Sequence, residues 1–258
     1  SIWYETWRGG LFFDGDGKFL GVGYKSDTAM SAFLVKYNEN GDTIFTKTYL
    51  NPYFPADDFI VTASLKNNNS GGYYLLCGIN SDPNGSNSDN FLLSLDKDGN
   101  MLKSHLFGGQ SAEIPYSLVV DEDNGVILGS VITNSSQAWQ NFFSRTHIFK
   151  TDSLGNVVWE YKSPPGQLFD IARDMVKTLD GGLVVASGKG IEHVVNAETG
   201  QLRWNGYIFK LNIDHQLEWG TELRGVRHSA STRLTKVVAA ADGSGFVAAG
   251  RLIEDESI

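Results

Sequence analysis

The sequence predicts an all-β protein built from four-stranded antiparallel units, the blades of a β-propeller, with about five repeats present and the last incomplete. Three observations predict it: a block that recurs at nearly even spacing, Gly-containing turn dipeptides ahead of short apolar runs, and little helical periodicity anywhere in the 258 residues.

The first block reads Phe33-Leu34-Val35-Lys36-Tyr37-Asn38-Glu39-Asn40-Gly41-Asp42 and returns from Phe91, His147 and Tyr207. Its turn positions, 41, 99, 155 and 215, lie 58, 56 and 60 residues apart, and the fourth residue after each is Phe45, Lys103, Trp159 or Trp219. Trp159 and Trp219 therefore occupy a slot of the repeat and are expected to pack between blades. A second block places Asp16-Gly17, Gly71-Gly72, Asn124-Gly125, Asp180-Gly181-Gly182 and Asp242-Gly243 before apolar runs as long as buried strands. Runs such as 59–63 and 116–120 complete the unit, so the repeats fall at 1–50, 51–109, 110–166, 167–225 and 226–258 of one propeller domain. The fifth stops after its second strand, and residues 1–7 are expected to lend an outer strand toward closing the set. An open edge invites pairing with other chains, which suggests a portion of a larger propeller.

Composition bounds the rest. With 41% hydrophobic and 20% charged residues the chain can bury a sizeable core, and no apolar run approaches a membrane span of about 20 residues. A formal charge of -9, without a basic stripe, argues against nucleic acid as a partner. The single cysteine, Cys77, sits in an apolar run and is read as a buried hydrophobe.

The pattern Asp-Gly-Gly, an apolar run ending Ala-x-Gly, a variable loop, then an apolar run with Lys, Asn or Asp, Gly-Asn and Trp resembles repeats of bacterial secreted and cell-surface β-propeller proteins. It covers nearly the whole chain. That resemblance implies an extracellular or cell-surface location, with lipoproteins among its members, and specifies fold more than function. Residues 196–204, with Ala197, Thr199, Gly200 and Trp204, are similar to the blade signature of quinoprotein (PQQ-like) propellers, out of phase with the main repeat.

In an antiparallel meander the first-to-second and third-to-fourth turns share one side, and the remaining connections share the other. The tight Gly turns fall on the first side. Every long loop falls on the second: 80–90, 133–145 and 189–206 within blades, and 51–57, 108–114, 163–168 and 224–231 between them. Loops on a rigid scaffold carry recognition. Tyr53, Phe54, Trp139, His193, Trp204, Arg227 and His228 are the candidate ligand-binding residues, flat rings and hydrogen-bond formers suited to a sugar or a peptide.

Other chemistry finds less support. Asp96-x-Asp98-Gly99-Asn100 lacks the glutamate and helices of a calcium loop and reads as a turn. The oxygen-rich stretch 82–89 has the composition to hold Ca²⁺ but also that of an exposed loop, so no cofactor is expected. The five histidines lack metal-ligand spacing, and no nucleophile elbow or phosphate loop occurs. The expected function is a non-catalytic module binding a glycan or a protein partner through the long-loop face. The alternatives are a propeller-type polysaccharide lyase or hydrolase, whose paired acids cannot be selected from 30, and a structural subunit of a larger surface complex.

Overall fold

The structure is a computed structural model and describes residues 3–15, 17–26, 30–52, 60–80, 88–133, 144–164, 170–190, 204–225 and 231–253. Two compact units divide the chain at Gly125/Val126. In the first, β1 (Trp3–Gly15), β2 (Lys18–Ser26), β3 (Met30–Tyr37) and β4 (Thr43–Tyr49) form one sheet in chain order. Strands β5 (Ile60–Asn67), β6 (Tyr73–Asn80), β7 (Ser88–Leu95) and β8 (Met101–Phe107) form the next, and β9 (Ala112–Val120) follows. The second unit holds β10 (Val126–Thr133), β11 (Ser144–Thr151) and β12 (Val157–Lys162), paired in the order β12-β11-β10. It continues with the sheet β13 (Asp170–Lys177), β14 (Leu183–Gly190), β15 (Trp204–Leu211) and β16 (Leu217–Leu223), then a two-stranded sheet, β17 (Ser231–Ala239) and β18 (Phe246–Ile253). Residues 3–7 belong to β1, paired with β2 from Trp3↔Ser26 onward, rather than lending a strand to the last sheet. The ladder shifts register between Glu5 and Gly10, yet the stretches on both sides of the shift pair with β2, which keeps them in the first blade.

Local chemistry explains the repeating block. Each third-to-fourth-strand turn opens on Asn or Asp, and in three of them its Oδ1 accepts two backbone N–H groups: Asn40 and Asp42 at Asn38 (3.0 and 2.8 Å), Asp98 and Asn100 at Asp96 (2.9 and 2.8 Å), Leu154 and Asn156 at Asp152 (both 2.8 Å); Asn212 accepts from Gln216 (2.9 Å). The side-chain amides of Asn100 and Asn156, which donate to Asp96 Oδ2 and Asp152 Oδ2 at 2.9 and 2.8 Å, lead these backbone bonds in holding the two carboxyls below the ordinary range. The fourth turn residue needs a left-handed backbone, which Gly41, Gly99 and Gly155 adopt at φ 85, 75 and 90°, and His215 at 61°.

The Lys of the block is a lock between strands. Lys36 Nζ lies 2.6 Å from both Asp14 Oδ2 and the Tyr73 hydroxyl, which itself donates to Asp14 at 3.1 Å. Burial opposes the lysine charge, but these bonds outweigh it and raise the Lys36 pKa. Lys210, at the same place in the fourth sheet, pairs with Asp180 and, at 2.8 Å, with Glu218.

Packing runs from one sheet to the next. In the first unit Leu20, Val22, Leu34, Leu65, Leu75 and Leu93 share one buried cluster with Cys77, whose thiol burial pushes well above its ordinary pKa. The inward residues of β4 meet the β7–β8 turn: Phe45 covers Gly99, where an added Cβ would lie 2.9 Å from its ring, Lys47 donates to Asn100 (2.8 Å), and Tyr49 donates to the Gly99 carbonyl (2.7 Å). In the second unit β12 meets β15–β16 in the same way. Trp159 stacks on His215 at 3.9 Å, and Tyr161 lies 6.1 Å from Phe209. Trp219, expected to pack likewise, is instead 37% exposed, because no third-to-fourth turn lies beyond β16 among the described residues.

Candidate functional site

The long-loop side is where first strands begin, second strands end, third strands begin and fourth strands end. In the fourth sheet this brings Lys189, Asn205, Tyr207 and Glu222 together. Register pairs Lys189 with both Asp170 and Asn205, and Tyr207 with Glu222. Lys189 Nζ reaches Glu222 Oε1 at 3.0 Å, Asn205 Nδ2 donates to Glu222 Oε2 at 3.1 Å, and the lysine stands 5.3 Å over the Tyr207 ring. The Lys189 ammonium, more than Asn205, holds the Glu222 carboxyl below its ordinary pKa against partial burial. Gly220 makes this possible, since a side chain there would collide with the Tyr207 hydroxyl. The result is a half-exposed group of fixed donors and acceptors beside an aromatic ring, suited to polar, ring-shaped ligands.

The first unit builds its long-loop end differently. Asn90 Nδ2 donates to Glu113 Oε2 at 2.9 Å, tying β7 to β9, and Asn51 Nδ2 donates to the Asn80 carbonyl at 3.1 Å. Asp89 is buried, with its carboxylate packed where any side chain at Gly108 would stand.

Of the residues singled out from sequence, Tyr53, Phe54, Trp139, His193, Arg227 and His228 lie outside the described residues, as does most of the oxygen-rich stretch 82–89. Trp204 is described, and it is not on a loop. It opens β15 opposite Gly190, is only 6% exposed, and carries the Arg233 guanidinium 4.7 Å above its ring. The strand ladder runs further toward the long loop than the Gly-rich sequence suggests, which draws this ring into the sheet.

Two acids escaped the sequence reading. Counting eight residues back from the residue that opens each first-to-second-strand turn leads from Asp121 to Glu113 and from Thr178 to Asp170, the same long-loop position of two first strands. The signal was available in the spacing, but only once the turn-opening residue was known. Among the described residues no group of three His, Cys, Asp or Glu side chains is placed to hold a metal ion.

No known protein-family profile matches the chain, and no curated protein matches it by sequence. Solved structures do. A thermostable family-43 glycoside hydrolase superposes with a TM-score of 0.56 at 10% identity, over 98% of this chain and 84% of its own. The endo-arabinase from Bacteroides thetaiotaomicron gives 0.50 at 10%, over 97% and 95%. An ACO/RPE65 chimera gives 0.57 at 14%, over 98% and 57%.

The fold is a β-propeller. At these identities the likeness extends to architecture, and the glycoside hydrolases and the chimera share that architecture.

Proposed function

We propose that this propeller is a carbohydrate-active protein of the hydrolase kind, acting on a polysaccharide held at the long-loop face. The observation that carries the reading is that its fold is shared over nearly the whole chain with a family-43 glycoside hydrolase and an endo-arabinase. Glycoside hydrolysis uses two carboxyl groups, one protonating the leaving oxygen while the other activates water or attacks the sugar. Asp170, paired with Lys189 beside the Tyr207 group of the second unit, and Glu113, in the first unit, are acids to test separately, each at the long-loop end of its own first strand. The polar group around Tyr207 supplies the ring face and hydrogen bonds that orient a sugar.

A second reading, a non-catalytic extracellular or cell-surface module that binds a glycan or protein, is favoured by a specific observation. Glu113 is already bonded to Asn90 and Glu222 to Lys189 and Asn205, so these acids are committed to structure.

The test is release of reducing ends from a panel of arabinans, xylans and other plant and microbial polysaccharides, run beside a glycan-binding array. Turnover that Glu113→Gln or Asp170→Asn abolishes, with binding retained, supports the hydrolase. Binding without turnover assigns the chain to the second reading, and neither result by folded protein removes carbohydrate from the account.

A further inference from the structure

We infer that Asn90 is the positioning residue of Glu113, and that Thr146, at the same place in the following repeat, is the positioning residue of Asp170. The inference rests on the hydrolase reading and names the neutral side chains that hold each of its acids.

The third strand of one repeat packs on the first strand of the next: β3 on β5 and β7 on β9 in the first unit, β11 on β13 and β15 on β17 in the second. Two of these junctions show which residues meet at the long-loop end. Asn90, one residue before the block that opens at Phe91, donates to Glu113 at 2.9 Å. Gly206, one residue before Tyr207, donates its backbone N–H to Thr232 Oγ1 at 2.7 Å. Thr232 stands eight residues before the turn-opening Ala240, as Glu113 stands before Asp121. The same count makes Thr146 the partner position of Asp170, and Ala32 that of Ile60. The four pairs are therefore Ala32 with Ile60, Asn90 with Glu113, Thr146 with Asp170 and Gly206 with Thr232. The third strand carries a hydrogen-bonding side chain only where the first strand carries an acid.

Burial is the second observation. Asn90 and Thr146 are fully buried, at positions where the other two repeats place Ala and Gly. Asn90 Nδ2 is spent on Glu113, but among the described residues its Oδ1 has no hydrogen-bond partner. Neither has the Thr146 hydroxyl, nor that of Ser144, two residues earlier on the same face of β11. A buried polar atom without a partner destabilises the fold, so packing alone does not account for polar residues here. Ser163 fixes the Thr146 main chain, its Oγ accepting the Thr146 N–H and its own N–H donating to the Thr146 carbonyl, both at 3.0 Å. The Thr146 hydroxyl is thus held on a pinned strand with its hydrogen-bonding capacity unspent.

A neutral donor suits an acid that must work. An ammonium group would pair with the carboxylate and keep it charged, as Lys189 does to Glu222. An amide or a hydroxyl orients the carboxyl group and leaves it able to take up or release a proton.

Val and Thr have nearly the same shape, so exchanging them removes or supplies a hydroxyl with little other change. The test compares Asn90→Val with Asn90→Thr, and Thr146→Val with Thr146→Ser, each in the whole chain. On a polysaccharide that the wild type cleaves, each Val variant is expected to lower kcat about 10- to 100-fold and to leave KM within about twofold. Asn90→Thr and Thr146→Ser are expected to keep most of the wild-type kcat. In isotope-labelled protein the side-chain carboxyl resonance of Glu113 is expected to move in Asn90→Val, and that of Asp170 in Thr146→Val, with each back near its wild-type place in the hydroxyl variant. Carboxyl resonances that stay in place in folded Val variants would overturn the inference, whether or not the chain cleaves a polysaccharide. A wild-type kcat in those variants would do the same. Resonances that move in a chain that cleaves no polysaccharide would uphold the positioning and overturn the hydrolase reading alone.

Discussion

Strands β14 and β18 occupy the same place in successive repeats and carry nearly the same apolar string, yet one is sealed and the other open. Val184 has no exposure and its counterpart Val247 is 60% exposed. The difference lies in what stands beside them. β14 is flanked by β13 and β15 and faced by β17, whereas among the described residues β18 is paired on one side only. A strand's propensity therefore makes it a strand, and its neighbours decide whether it is core.

The largest expected effect separates these two strands directly. Val184→Asp buries a carboxylate without a partner and is expected to cost more than about 4 kcal/mol, whereas Val247→Asp changes stability by no more than about 0.5 kcal/mol. Urea unfolding of both variants checks this, and equal losses would mean that β18 is covered in solution. Leu183→Ala against Leu252→Ala repeats the contrast with cavities: about 2–5 kcal/mol for the 3%-exposed Leu183, and a small fraction of that for Leu252.

A smaller effect tests the junction between the sheets. Asp174, nearly buried, accepts the Val237 backbone N–H at 3.1 Å and faces Lys236 at 3.7 Å. Asp174→Ala is expected to cost about 1–3 kcal/mol and to speed exchange of β17 and β18 amides before those of β14.

The aromatic slot gives the next contrast. Trp159→Ala removes the stack on His215 and is expected to cost at least about 0.5–1.5 kcal/mol, whereas Trp219→Ala, at a ring 37% exposed, costs less than either figure. The smallest effect is a pH dependence. Partial burial beneath Trp159, with the Lys150 charge adding to it, depresses the His215 pKa from 6.5, against the pull of Asp214. The unfolded chain then takes up the proton more readily than the folded one. Stability is full above pH 6.5 and is lost as pH falls through the depressed folded value. Asn at position 215 tolerates the left-handed backbone and should flatten that part of the profile, measured as Tm against pH.

Much of the fold was legible because its determinants are local. The left-handed positions at Gly41, Gly99 and Gly155 and the Asn or Asp that opens each turn are set within five residues, so a spacing of 56 to 60 exposes the blades. The candidate site was less legible because it depends on where ladders end. Trp204 reads as a loop residue, but pairing with Gly190 makes it the first residue of β15. Glu113, unremarkable in sequence, gains its place from the strand on which it stands, and Glu222 its charged partner from the β14–β15–β16 register.

By itself the sequence determined the all-β class, the repeat, the turns and the side on which long loops gather, since these follow from backbone conformation and strand alternation. Tertiary structure alone decided that Lys36 and Lys210 are interstrand locks, that Trp159 is capped by His215 while Trp219 is 37% exposed, and that Val247 of β18 is exposed despite a core-like sequence. Those outcomes require residues from different strands to meet, and the distance between them along the chain carries no local signal.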